Sequence, residues 1–317
     1  MKRVTILVPC YNEEGSLPEL YAELCKLIGQ HPAYEWEMLF VNDGSVDGTL
    51  EKIRQLREED HRVCYIDLSR NFGKENAMLA GFDHARGDCV VIMDADLQDP
   101  PSLISDMLKA WEDGYDDVYA QRRDRGKESW LRKQMSLFYY WLLDKSSRYE
   151  ILRNVGDFRL LDRKCVEAIK RLRETHRYTK GMFSWIGYKK KELVFDRGDR
   201  TKGKSHYSFF KLIALAMEGI TSFTIAPLRF ATILGLIISL FAFVYMCYFL
   251  VKTLVVGDVV QGFPTLIIVV LFLGGVQLLS IGIIGEYIGR IFIETKKRPI
   301  YLVNECGLNE ETPADGH

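Results

Sequence analysis

Three acids, Asp94, Asp96 and Asp99, stand in the run "MDADLQDPP", directly behind the apolar residues Val90 to Met93. Carboxylates at the end of a buried strand repel one another and resist desolvation. Either they form an ordinary solvated turn or something cationic balances them. Oxygen ligands spaced as Asp-x-Asp suit Mg²⁺ or Mn²⁺, bound through one or two carboxylates together with substrate phosphates. Holding a diphosphate through a divalent ion is the chemistry this spacing allows. A glycine cradle for phosphate is missing behind the first strand, since no G-x-G-x-x-G follows it.

The elements that must position these acids are legible from patterning. Arg3–Pro9, Glu37–Val41, Val63–Leu68, Cys89–Met93 and Asp117–Ala120 read as strands. Ser16–Ile28, Leu50–Glu59, Gly73–Arg86 and Pro101–Trp111 read as helices, with Ser16 as a cap and Pro101 at an N-terminal position. Strands alternating with helices predict an α/β fold with a doubly wound, mainly parallel sheet. Ligands of such sheets bind beyond the C-terminal strand ends. The unusual polar residues fall there: Tyr11-Asn12-Glu13, Asn42-Asp43-Gly44, Arg70-Asn71, and Asp94 with Asp96. One acidic strand end is most often a solvated turn. Four polar strand ends on one sheet edge point to a ligand site.

Composition separates a second region. The chain has 317 residues and a net charge of −1, so no global field points to nucleic acid. No charged side chain occurs from Phe230 to Val251 or from Val259 to Gly285. Each run exceeds the roughly 20 residues an apolar helix needs to cross a bilayer. Two transmembrane helices are expected, about 230–252 and 263–286, within a region 229–291. Lys202, Lys204, Lys211 and Arg229 precede them, and Arg290, Lys296, Lys297 and Arg298 follow. The loop between holds Asp258, with Lys252 at its edge. The positive-inside rule then predicts a multi-pass protein with both termini cytoplasmic. The apolar stretch 207–228 is expected as an amphipathic helix lying in the membrane interface. Residues 1–206 would form the catalytic domain and 292–317 a cytoplasmic tail, disordered after Glu305. The N-terminal run Val4 to Val8 is too short for a signal peptide. Seven scattered cysteines without a C-x-x-C pair read as reduced thiols, with neither zinc nor disulfide expected.

The motifs "VPCYNEE", "VNDGSVDGT", "LSRNFGKENAMLAGFDHARGD" and "MDADLQDPP" resemble, in order, the signatures of glycosyltransferase family 2, which has a GT-A fold. "GDFRLLDRK" and the tail "GVQLLSIGIIGEYIGRIFIETKKRPIYLV" are similar to the polyprenyl-phosphate glycosyltransferases, the tail most of all to the bactoprenol glucosyltransferase type. This resemblance covers the chain to about Val303. It implies that Pro9, Tyr11 and Glu13 line the nucleotide base and ribose of a donor, with Asp43 on the base. It implies Asp96 and Gln98 as ligands of Mg²⁺ or Mn²⁺, and Asp94 near the ribose or sugar. Arg122 would lie near the phosphates, Arg132 and Ser136 would hold the acceptor phosphate, and Lys204 with Ser205 would belong to a loop closing over the site. Arg132 and Ser136 are four apart, so one helix face would carry both. Asp157 would stand near the sugar.

The implied reaction is inverting transfer of a sugar, glucose favoured, from a UDP-sugar to undecaprenyl phosphate at the cytoplasmic face of a bacterial inner membrane. The product would serve cell-envelope glycan modification. A phosphate monoester has a second pKa of about 6 and is largely dianionic at neutral pH. It needs alignment more than deprotonation, so Asp157 is expected to orient a sugar hydroxyl rather than act as a strong base. The basic cluster from Arg122 to Lys133 reads either as solvated surface or as contact with anionic lipid. Gly285 and Gly289 form a G-x-x-x-G that could support a homo-oligomer, although Glu286 and Arg290 flank it. Two rival classes remain. A processive polysaccharide synthase is expected to carry Q-x-x-R-W, which Gln121-Arg122-Arg123-Asp124-Arg125 lacks. A catalytically silent membrane scaffold would have no need of the acids.

Overall fold

The computed structural model describes residues 1–122, 155–175, 177–195, 226–256 and 262–309. They divide into two units. One holds the described residues up to 195 together with 299–309, and the other holds the two long helices between.

The first unit is built on an eight-stranded sheet. Its strands are β1 (Lys2–Cys10), β2 (Tyr34–Asn42), β3 (Val63–Leu68), β4 (Cys89–Ile92), β5 (Asp117–Arg122), β6 (Val155–Asp162), β7 (Lys190–Phe195) and β8 (Val303–Gly307). Their order is β7-β5-β6-β4-β1-β2-β3-β8. The pairs β1–β2, β1–β4 and β2–β3 are parallel, as the alternation of elements predicted, and β5–β7 is parallel as well. β6 and β8 run antiparallel to their neighbours. Because β2 and β4 flank β1 on opposite sides, the winding reverses at β1, and a crevice opens at the C-terminal ends of β1 and β4.

Helices α1 (Leu17–Gln30), α2 (Thr49–Glu59), α3 (Lys74–His84), α4 (Leu103–Glu112), α5 (Arg163–Lys170) and α6 (Thr179–Trp185) complete the unit. Two apolar clusters form, one on each face of the sheet. Alternation along β1 assigns its residues: Val4, Ile6 and Val8 belong to one cluster and Leu7 to the other. A sheet covered on both faces explains why the central strands read as unbroken apolar runs. Helix α3 is buried from Ala77 to Phe82. A Cβ on Gly81 would stand 2.1 Å from Leu7 Cδ1, so this small residue lets the helix lie close against β1.

Two local expectations change. Ser16 occupies the N-cap position of α1, but its hydroxyl donates to the Glu13 backbone oxygen and carboxylate instead of capping the helix. The tail is not disordered directly after Glu305, and its part beyond Asn309 lies outside the described residues. Residues to Asn309 are placed, because β8 completes the sheet edge beside β3. Ser69 N donates to Leu302 O at 2.9 Å, Arg57 donates to Leu308 O at 3.1 Å, and Glu305 accepts from Arg54 and Tyr65. These partners are distant in sequence, which is why composition did not disclose them.

The second unit is a pair of helices in contact, α7 (Ala226–Val256) and α8 (Phe263–Thr295). Both extend past the expected spans. Phe272–Thr295 is long and apolar enough to cross a membrane, and Ala231–Tyr245 is a shorter apolar stretch among the described residues. The expected interfacial helix lies outside the described residues.

Candidate active site

Four loops, those after β1, β2, β3 and β4, meet where the sheet winding reverses. The loop after β1 is tied to the loop after β2. Asn12 N donates to Ser45 Oγ at 3.0 Å, Val46 N to Asn12 Oδ1 at 2.9 Å, and Glu13 N to Thr49 Oγ1 at 2.8 Å. Asn12 has φ +58°, a left-handed conformation that asparagine tolerates better than most residues. The loop after β2 is in turn pinned to the loop after β3. Asp43 accepts from Phe72 N at 2.7 Å and from Gly73 N at 2.9 Å. Gly44 has φ +63°, and a Cβ there would lie 2.4 Å from the Arg70 carbonyl carbon. Only glycine meets both demands. Burial pushes the Asp43 carboxyl up, while the two backbone bonds and Arg70 oppose it.

These loops enclose a cleft of about 250 Å³. Pro9, Tyr11, Glu13, Asp43, Asp94 and Asp96, six of the residues singled out from sequence, all line it. The loops that carry them were predicted, and the cleft supplies their common destination. Beyond β4 the chain turns sharply. Leu97 has φ +54°, a strained conformation for a bulky side chain, and Gln98 N donates to Asp96 Oδ1 at 3.1 Å. Asp96 is exposed at the cleft.

The element that sequence reasoning missed is Lys74, at the start of α3. Its ammonium sits 2.6 Å from Asp94 Oδ1 and 2.7 Å from Asp157 Oδ2. One cation thus joins the acid after β4 to the acid on β6. Burial acts to lower the Lys74 pKa, and the attraction of Asp157 and Asp94 overcomes this and raises it. Burial likewise acts to raise the Asp157 carboxyl, but Lys74 and other nearby cations hold it below its usual range. The second oxygen of Asp157 is buried with no hydrogen-bond partner. The signal in sequence was faint: Lys74 stands in "GKENAML" without a nearby acid to suggest its pairing beyond the adjacent Glu75.

The acids differ in how they are balanced. Asp94 and Asp157 share Lys74. Glu13 is shifted upward by burial first and then by repulsion from Asp96 and Asp94, with the Ser16 hydroxyl opposing. Among the described residues the cleft therefore retains an excess of negative charge near Glu13 and Asp96. Behind it, burial and repulsion from Asp157 push Glu75 to about 7, although it accepts from Thr179 N at 2.7 Å. Deeper still, Arg159 and Asp117 form a buried ion pair at 3.1 Å, with the guanidinium 3.7 Å over the Phe183 ring. That pair secures β6, and with it Asp157, against β5.

The remaining expected contacts divide as follows. Arg122 is the last residue of β5. Its side chain, and the whole of Arg132, Ser136 and Lys204, lie outside the described residues. Among the described residues no group of three or more His, Cys, Asp or Glu side chains forms a metal cage. The two-ligand arrangement implied for Asp96 and Gln98 is of a different kind, since it relies on substrate phosphates to complete the shell.

Comparison with known proteins shows the family of the chain. Residues 5–170 match the family model for glycosyl transferase family 2, and residues 226–291 match the GtrB C-terminal hairpin. The bactoprenol glucosyl transferase of Shigella phage SfII is 43% identical, covering 96% of this chain and 98% of that protein. The prophage bactoprenol glucosyl transferase homolog of Escherichia coli (strain K12) is 42% identical over 95% of this chain and 98% of its own. Among solved structures, mannosyltransferase PcManGT from Pyrobaculum calidifontis covers 63% of this chain and 58% of its own at 20% identity, with a TM-score of 0.44. The chain is a glycosyltransferase and belongs to glycosyltransferase family 2, with the GT-A type of mixed α/β sheet and the GtrB C-terminal hairpin.

Proposed function

We propose that this glycosyltransferase moves a hexose, glucose favoured, from a UDP-sugar to undecaprenyl phosphate at the cytoplasmic face of the membrane, with inversion. The observation that carries the reading is the Lys74 bridge between Asp94 and Asp157 at the wall of an acid-rich cleft. It fixes two carboxylates with one ammonium and leaves Asp96 available. The acceptor is supported by the relatives named for bactoprenol and by the hairpin. Apolar side chains such as Leu236, Phe241, Leu278 and Ile281 are between 63% and 75% exposed on α7 and α8. A lipid environment is the natural solvent for such surfaces.

The donor set fits a divalent ion. Asp96 and the Gln98 side-chain amide offer hard oxygens, and the unbalanced charge around Glu13 favours a cation. Mg²⁺ or Mn²⁺ bound there would offset charge growing on the departing diphosphate. The chain's own residues supply the rest. Pro9, Tyr11 and Glu13 receive the nucleoside, and Asp43 holds the loop after β3 that closes its side. Asp94 and Asp157 accept hydrogen bonds from donor hydroxyls, and Lys74 helps hold the Asp157 carboxyl below its usual range. The acceptor phosphate oxygen attacks the anomeric carbon from the face opposite the departing diphosphate. Its carbon–oxygen bond forms as the bond to the diphosphate breaks, which inverts configuration. Since Asp157 is held below the usual carboxylate range, it is poorly suited to take a proton at neutral pH. The dianionic acceptor does not require it. Arg122, Arg132, Ser136 and Lys204 are assigned to the phosphates, and Asp258 to the external loop.

The test is transfer from radiolabelled UDP- and GDP-sugars to undecaprenyl phosphate in detergent, with Mn²⁺, Mg²⁺ or EDTA. Lipid-soluble label that needs metal and disappears in Asp96→Ala is expected. Release of UDP without lipid product, or a water-soluble polymer, would replace this reading with the processive synthase.

A further inference from the structure

We propose that Asn304, on the strand following α8, is a positioning residue for the nucleotide end of the cleft, acting through Asp67 and Asn42 on the loop that carries Tyr11 and Glu13. The inference rests on the reading of that cleft as the donor site. A continuous series of hydrogen bonds supports it. Asn304 Nδ2 donates to Asp67 Oδ2 at 2.8 Å, and Asn42 Nδ2 donates to Asp67 Oδ1 at 2.7 Å. Asn42 Oδ1 accepts from Ser45 Oγ at 2.5 Å, and Ser45 Oγ accepts from Asn12 N at 3.0 Å. Asn12 lies between Tyr11 and Glu13, both of which line the cleft.

The middle of this series cannot rearrange cheaply. Asn42 is 1% exposed and Asp67 5% exposed, and they are register partners on β2 and β3. Both Asp67 oxygens have an amide donor, one from β2 and one from β8, the strands on either side of β3. A buried carboxylate that loses a donor must find another or bear the desolvation. The donor within reach is the Asn42 amide, whose other end orients Ser45 and hence the Asn12 backbone. Other bonds of the same segment attach it elsewhere: Tyr301 Oη donates to Asp83 at 2.7 Å, and Glu305 accepts from Arg54 and Tyr65. They hold the strand, whereas Asn304 reaches the network that shapes the cleft.

The experiment titrates UDP and GDP into the full-length chain in detergent by calorimetry, with melting temperature measured in parallel. Asn304→Asp faces Asp67 with a second carboxylate, and the Kd of the bound nucleotide is expected to rise about tenfold. The paired variant Asp67→Asn/Asn304→Asp restores the pattern. The amide at position 67 donates to the carboxylate at 304 while its oxygen still accepts from Asn42. Its Kd is expected within about twofold of the wild type. Tyr301→Phe loosens the same segment without touching the network, and should lower the melting temperature with Kd unchanged. An unchanged Kd in Asn304→Asp overturns the inference, as does a raised Kd that the pair does not restore. A wild-type chain that binds nucleotide but glycosylates no lipid would defeat the proposed acceptor and leave these Kd comparisons intact. A wild-type chain that binds neither nucleotide defeats both.

Discussion

The cleft and the helical hairpin solve opposite problems. In the cleft, several charges are held by specific partners, with Lys74 between Asp94 and Asp157, backbone amides on Asp43 and the Ser16 hydroxyl on Glu13, while an excess of negative charge remains near Glu13 and Asp96. In the hairpin, charge is excluded over long runs and large apolar side chains face outward. Cleft function depends on individual atoms within hydrogen-bond reach. Hairpin function depends on composition over a length, so most single positions there are exchangeable for another apolar residue.

The largest effect should come from the cleft. Asp96→Ala is expected to lower sugar transfer at least a hundredfold while leaving the chain in the membrane fraction, as read by radiolabel transfer and fractionation. Lys74→Gln should come next, at about a hundredfold. It also removes the cation that holds the Asp157 carboxyl low, so the acid limb of the pH–rate profile should move to higher pH. A profile whose acid limb stays in place would mean that the bridge does not set the ionisation of Asp157.

Leu278→Lys asks the same of the hairpin. Leu278 is 72% exposed on α8, and a lysine near the middle of a span costs roughly 2.5–3.5 kcal/mol in membrane insertion. A smaller membrane-integrated fraction with an intact cleft is expected, measured by alkaline extraction and nucleotide binding. Leu278→Ile should change neither. If Leu278→Lys inserts normally, the outward apolar surface is not lipid-facing at that position.

Gly81→Ala sharpens the contrast from within the core. The added methyl meets Leu7 at 2.1 Å, and a loss of about 1–3 kcal/mol in denaturant unfolding is expected. The smallest effect concerns Glu75. Its folded pKa of about 7 exceeds the ordinary 4.5, so the folded state binds more protons between those values. Stability therefore falls as pH rises from about 4.5 to 7. Glu75→Gln keeps an oxygen for the Thr179 amide and removes the charge. It should raise the melting temperature by a few degrees (~2–4 °C) at pH 8 and change it little at pH 4.5. The opposite ranking would show that attraction to Arg177 outweighs burial.

Much of the cleft was legible because each participating loop follows a recognisable strand. Tyr11, Glu13, Asp43, Asp94 and Asp96 could be placed at one sheet edge from alternation alone, because parallel strands all end there, and Pro9 was implied by the family resemblance. Lys74 was not legible, since a lysine opening a helix has many bland uses and its partners lie 20 and 83 positions away. The end of the chain misled for a similar reason. Glu305 reads as the start of an acidic tail, yet Arg54 and Tyr65 receive it across the sheet edge.

The amino-acid sequence alone determined the elements, their alternation, the acids at the strand ends and the uncharged runs of the hairpin. Those properties arise from local sterics and from hydrophobicity summed over neighbouring residues, and both are fully written in a short window of chain. Tertiary structure decided which charges pair: Lys74 with Asp94 and Asp157, Asn304 with Asp67, Arg159 with Asp117. Electrostatic and hydrogen-bond partners act over a few ångströms of space irrespective of separation along the chain, so the folded sheet had to bring them together before their roles could be read.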